Sequence, residues 1–189
     1  MFSLRYLTMT YSDSFTTSPM HSTETAVTDQ NSIQPEIEQP STTVQGLVEH
    51  LIDYASYLHQ LYAQAHLIHL NIEGPLFFPI HEFLNEQYDA HIVQFDKTSE
   101  YVRSLDYLMP MCQRGLIQTH KNFKHVKDYD TRNMLTTYLK NVEDAGMAAK
   151  DVCDYAREIE AVDVENFMAE TAGDMFKAAW KLKSTLRSK

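Results

Sequence analysis

The side chains most able to do chemistry in this chain crowd into one stretch, HLIHLNIEGPLFFPIHEFLNEQYDAHIVQFDKTSE, residues 66–100. Imidazole nitrogens and carboxylate or carbonyl oxygens are the donors that bind divalent first-row metals, and the candidates here are His69, His81, Asn85, Asp96 and Glu100. His69 falls at the end of one helical pattern and His81 at the start of the next, so the Gly74-Pro75 connection can bring the two rings together. At about 100° per residue, Asn85, Asp96 and Glu100 lie about 40°, 60° and 100° from His81, on one side of a single helix. The rise separates them again: fifteen residues at ~1.5 Å put Asp96 roughly 22 Å from His81, against metal bonds of ~2 Å. One chain therefore does not close such a site. Two copies of this helix packed antiparallel about a two-fold axis near residue 90 would place Asp96 and Glu100 of one beside His81 of the other, forming two equivalent sites between subunits.

The elements that must hold these residues are helices. Val44, Leu47, Val48, Leu51, Ile52, Ala55, Leu58, Leu61, Tyr62, Ala65, Ile68 and Ile72 recur at three- and four-residue steps, an amphipathic pattern that should stop at Glu73-Gly74-Pro75 with Gly suited to a C′ position. A second helix is expected from near Pro79, a residue tolerated in a first turn, towards Tyr107. Residues 108–130, with Pro110 and Gly115, form a longer connection with room for a short helical turn. The period resumes with a third helix entered through Asp130 as N-cap and ending near Ile159. A fourth starts at Asp163 and carries Lys181, Lys183, Arg187 and Lys189 at its end, as the helix dipole favours. The expected fold is all-α: a four-helix bundle with a long central connection. Residues 1–43 hold 16 Ser or Thr and no Lys or Gly, and carry a net charge of −4, which reads as a disordered tail before a bundle domain at 44–189.

Composition narrows the chemistry. Only five Gly and six Pro in 189 residues argue against many short strands, and the Gly are isolated, so no phosphate-binding loop or dinucleotide fingerprint exists. No HExxH and no Glu-x-x-His occurs, which disfavours a di-iron site buried inside one bundle. Cys112 and Cys153 match no zinc spacing and read as inert, and a reducing, cytoplasmic setting is the simplest fit. No run approaches a membrane span. The formal charge of −10 opposes binding to a phosphate backbone, with Lys177, Lys181, Lys183, Arg187 and Lys189 as the basic cluster that could do so.

The ligand spacing, together with the frame His-x-Asn-x-x-Gly-Pro at 69–75, the pair His81-Glu82 and the single Trp180, resembles the Dps family of miniferritins (DNA-binding protein from starved cells) over residues 44–187. The resemblance implies a ferritin-like fold and a hollow dodecamer built from two-fold dimers. It implies ferroxidase chemistry at inter-subunit sites, with Fe(II) oxidised by hydrogen peroxide and ferric iron stored inside, protecting against oxidative stress. It assigns His69, His81, Asp96 and Glu100 to catalysis, and the same residues with Asn85 to the metal. Two departures stand out. The family usually has Asp at the position of Asn85 and Trp where this chain has Leu70. Asn offers a carbonyl oxygen but no charge, so a position held by His81, Asp96 and Glu100 should survive and the one near His69 and Asn85 should weaken, with slower oxidation or Zn as a competing occupant. Tyr88 or Tyr62 stands in for the missing ring.

Two rival readings remain open at this level: a cage whose centre is disabled by Asn85 and holds another metal such as Zn, and a DNA-compacting protein, against which the charge counts. His59, His66 and His91 read as packing or surface residues, with His91 also near the expected dyad. Met134, Met147, Met168 and Met175 read as core filling. The acidic corner Glu158, Glu160, Asp163 and Glu165 is equally a solvated turn or, by the resemblance, an iron-entry pore at a three-fold axis.

Overall fold

A computed structural model describes residues 42–187 of the chain; apart from Thr42 and Thr43, the expected tail lies outside the described residues. Within them the chain forms five helices and no strand: α1 Val44–Asn71, α2 Phe77–Ser104, α3 Gln113–Thr119, α4 Thr131–Glu158 and α5 Val162–Leu186. α1 pairs extensively with α2, α4 with α5, and α1 with α4, while α2 and α5 touch only sparsely. The core runs along the shared axis through Leu51, Leu58, Leu84, Leu135, Met168 and Met175, each at most 2 % exposed. This is a four-helix bundle, with α3 as the helical turn inside the long connection.

Local chemistry sets the helix ends. The Thr43 hydroxyl accepts from the Gly46 N–H at 3.1 Å, capping α1. On α4, Tyr155 locks that start: its hydroxyl accepts from the Thr43 N–H at 3.0 Å and donates to the Thr43 carbonyl at 3.3 Å. A Cβ on Gly46 would stand 2.0 Å from that hydroxyl, so only glycine lets Tyr155 approach. The α1–α2 turn uses Gly74 at φ +100°, two residues past the Ile72 C-cap, and its carbonyl accepts from the Phe77 N–H. α2 begins two residues before Pro79, which sits in the first turn where no N–H is missed. Asp130 caps α4 through the Asn133 N–H at 2.8 Å, as expected. α5 opens at Val162 without a side-chain cap; Asp163 is in its first turn rather than at its cap.

The connection between α2 and α4 is pinned by polar groups that the apolar pattern passes over. Ser56, Gln60 and Gln64 are spaced one turn apart on α1 and buried. The Ser56 hydroxyl accepts from the His120 N–H, Gln60 donates to the His120 carbonyl and Gln64 to the Lys124 carbonyl. From α4, fully buried Asn141 donates to that Lys124 carbonyl and to Gln64, and accepts from the Lys124 N–H. These bonds replace the ladder that a non-helical segment lacks. Two apolar assignments shift: Val44 and Met147 are 46 % and 51 % exposed, so Met147 fills no core.

Candidate metal centre

The five candidate ligands sit on the α1–α2 hairpin. His69 and His81 come together as the turn at Gly74 requires, with ring centroids 3.6 Å apart and planes 21° from parallel. Each ring is held by the other's backbone: Nδ1 of His69 lies 2.9 Å from the His81 carbonyl oxygen, and Nδ1 of His81 lies 2.9 Å from that of His69. A carbonyl only accepts, so both Nδ1 atoms carry a proton, and in the neutral rings both Nε2 atoms present a lone pair. That is the tautomer and the second contact that metal-binding imidazoles use. The last turn of α1, where carbonyls have no intrahelical partner, supplies one carbonyl for this exchange, and the first turns of α2 supply the other.

Asn85, one turn beyond His81, is half-buried and engaged on both sides. Its amide donates to Asp89 at 3.1 Å, and its carbonyl oxygen accepts from the Tyr88 hydroxyl at 2.5 Å. The Tyr88 ring stands nearly perpendicular to His69 at 5.3 Å and packs on His66 at 4.5 Å, which in turn approaches His69 at 6.0 Å. Tyr62 continues this aromatic row, meeting Tyr88 at 6.4 Å. Neither the Tyr88–Asn85 bond nor the His66 stack was singled out from sequence, although the three-residue spacing of Asn85 and Tyr88 is a legible signal.

Asp96 and Glu100 project from the same unbroken α2 and are exposed. The buried side of α2 carries Ile80, Leu84, His91, Thr98 and Val102, so the candidate ligands lie away from the core. Asp96 and Glu100 therefore do not join His81 within the chain. Among the described residues no three His, Cys, Asp or Glu side chains converge to hold a metal.

His91 takes the packing role expected of it. It points into the bundle at 1 % exposure, its Nε2 lying 2.8 Å from the Tyr138 hydroxyl and its Nδ1 3.4 Å from Gln94. Burial pushes its pKa down to about 4. The acidic corner between α4 and α5 is also not purely acidic, since Arg157 pairs with Asp154 and Glu165, each at 2.7 Å. Basic groups gather at a second place besides the C-terminal helix: Lys124, Lys127 and Lys140 line one cleft beside the pinned connection. Of these, Lys124 is paired with Asp144. Cys112 is exposed and caps α3 through its sulfur, whereas Cys153 is buried.

Comparison with known proteins places this arrangement. Residues 31–188 match the ferritin-like domain family, and the chain belongs to it. Its fold is that of the Dps proteins. The Dps protein of Vibrio cholerae O1, described as a member of a broad superfamily of ferritin-like di-iron-carboxylate proteins, superposes at a TM-score of 0.70 and 20 % identity, covering 76 % of this chain and 90 % of that one. Dps from Staphylococcus aureus gives 0.74 at 17 % identity over 79 % of this chain and all of the other. Dps from Thermosynechococcus elongatus gives 0.73 at 16 % over 77 % and 92 %. No curated protein matches the chain significantly by sequence. No helix among the described residues is long and apolar enough to cross a membrane.

Proposed function

We propose that this chain assembles into a Dps-like cage, built from two-fold dimers into a dodecamer, that takes up Fe(II), oxidises it at sites between subunits with hydrogen peroxide, and keeps the ferric product inside. The observation that carries the reading is the His69–His81 pair: each Nδ1 faces a backbone carbonyl, leaving the Nε2 of each of two stacked rings for a metal. Asp96 and Glu100, on the same helix but roughly 22 Å along its axis, are the complementary half that a second, antiparallel copy would bring. Two ferrous ions held there each give one electron to peroxide; the O–O bond breaks, two protons are taken up and two waters leave without a free hydroxyl radical.

A second reading is favoured by the contacts of Asn85. Its carbonyl oxygen is already occupied by Tyr88, and the residue carries no charge. The position served by His69 and Asn85 then holds a divalent ion more weakly than the one served by His81, Asp96 and Glu100, so oxidation is slowed and Zn competes. The test is Fe(II) oxidation followed with peroxide and with oxygen in wild type and Asn85→Asp. Faster oxidation in Asn85→Asp with peroxide preferred is the expected outcome. Equal rates and two fully occupied iron positions in wild-type crystals would show that Asn85 impairs nothing. Loss of all oxidation in Glu100→Ala is expected on either reading.

A further inference from the structure

We propose that the cleft between α2 and α5 binds inorganic phosphate, with Lys177, Lys181, Gln87 and Gln94 donating to its oxygens and Asp174 accepting the proton it carries. Iron plays no part in this binding. α2 and α5 touch only sparsely, and one stripe of each borders the gap between them. Gln87, Ala90, His91 and Gln94 line it from α2, and Asp174, Lys177, Ala178 and Lys181 from α5, each set at the i, i+3, i+4, i+7 spacing of a single helix face. The small side chains of Ala90 and Ala178 leave the room. The cleft has a volume of about 220 Å³, below the ~300 Å³ at which pockets for drug-sized ligands begin, so it suits a small ion.

The polar groups of this cleft have bonding capacity that the protein itself does not use. His91 and Gln94, at its floor, are 1 % and 9 % exposed. Both His91 nitrogens are engaged, Nε2 by the Tyr138 hydroxyl at 2.8 Å and Nδ1 by the Gln94 carbonyl oxygen Oε1 at 3.4 Å. The other end of Gln94 is an amide with two N–H donors, and it has no partner among the described residues. A buried donor needs an acceptor, and the cleft is the side left open to it. On α5, Asp174 makes no ion pair with Lys177 or Lys181 although the three share a face, and the Lys181 ammonium lies 5.6 Å from the centre of the Phe83 ring. Two positive groups and one negative group thus stand apart around a common space. Donors on both helices with a single acceptor select among oxyanions. Near neutral pH inorganic phosphate keeps at least one P–O–H proton, which a carboxylate accepts, while its other oxygens take N–H donors. Sulfate and phosphodiesters carry no such proton, and monoesters lose theirs above about pH 6, so each sets a bare oxygen against the Asp174 carboxylate.

Full-length protein, freed of metal and kept in phosphate-free buffer at pH 7 and low ionic strength, is titrated with inorganic phosphate and with sulfate in a calorimeter. Phosphate should bind saturably at one ion per chain and at least about tenfold more tightly than sulfate, the effect of one charge-assisted hydrogen bond. Lys177→Gln and Lys181→Gln should each weaken phosphate binding roughly tenfold for the same reason. Asp174→Asn should weaken phosphate, strengthen sulfate and bring the two affinities together. Lys140→Gln, in the separate cleft beside the pinned connection, should change neither. Asp174, Lys177 and Lys181 are exposed, so these variants should unfold at the wild-type temperature. The proposal is overturned by any of four results: no saturable phosphate binding to wild type, equal affinity for phosphate and sulfate, full binding by the Lys177→Gln, Lys181→Gln double variant, or unchanged selectivity in Asp174→Asn. An equal loss in Lys140→Gln would also overturn it, by assigning the binding to charge in general.

Discussion

Single residues in this protein are decided by what their polar atoms find. Tyr54 finds nothing: it is 1 % exposed and its hydroxyl has no hydrogen-bond partner. An unpaired buried hydroxyl costs about 1–3 kcal/mol of desolvation, so Tyr54→Phe should raise stability by about 1 kcal/mol, read as a higher urea midpoint at unchanged slope. A lower midpoint would mean that an ordered water satisfies the hydroxyl. His91 is the opposite case, a buried imidazole satisfied by Tyr138 and Gln94 as a neutral ring. Its folded pKa of about 4 lies below the 6.5 of a free imidazole. The folded state therefore resists protonation, and the stability this provides is complete above pH ~6.5 and lost as pH falls towards 4. The shift corresponds to on the order of 3 kcal/mol. Asp174, Lys177 and Lys181 line the same cleft, and the carboxylate and ammonium charges there partly offset one another. Urea titrations at pH 7 and pH 4 should show a steeper loss in wild type than in His91→Gln; parallel losses would assign the acid sensitivity to the carboxylates elsewhere.

Among the elements, two helix ends share a device. After α2, Asp106 adopts φ +65°, its N–H reaching the Arg103 carbonyl and the Tyr107 N–H reaching that of Val102. After α4, Glu160 at φ +58° repeats the pattern, with the Ala161 N–H bonded to the Ala156 carbonyl. Both are Schellman ends with a side chain where glycine fits better. Asp106→Gly and Glu160→Gly should each stabilise by up to about 1 kcal/mol, seen in thermal unfolding, because the left-handed strain exceeds the entropy that glycine adds to the unfolded chain. The gain should be smaller at Asp106, since Asp tolerates this region better than Glu. The boundaries at Gly74 and Asp130 were legible in the sequence because caps and turns are local, whereas Thr43, read with the tail, proves to be the cap of α1.

At the scale of the whole molecule, the proposed site is divided between copies, which makes assembly and metal binding one event. The outward side of α2 leaves Val93 66 % exposed beside Asp89 and Asp96, whereas His91 is buried in the bundle. Val93→Glu sets like charges against each other where two copies of α2 would meet, and leaves every candidate ligand in place. It should give monomers in sedimentation and abolish tight Zn(II) binding in calorimetry. Full binding by a verified monomer would remove the inter-subunit model. The formal charge of −10 also predicts at most weak, salt-sensitive retardation of DNA.

The sequence by itself determined the helices, their order and the face of α2 that carries His81, Asn85, Asp96 and Glu100, because a period near 3.6 and the rise per residue are properties of one helix read in isolation. The same wheel sets His91 with Ile80, Leu84 and Val102, in keeping with the packing role expected of it. Tertiary structure decided the rest. The crossed Nδ1 contacts of His69 and His81, the Tyr88 hydroxyl against Asn85, and the Ser56, Gln60, Gln64 and Asn141 clamp on the long connection each depend on side-chain direction or on the rotation and axial offset of one segment against another. Periodicity fixes which way a helix faces; it does not fix which atom of a neighbour lies opposite, and hydrogen bonds are decided at that range.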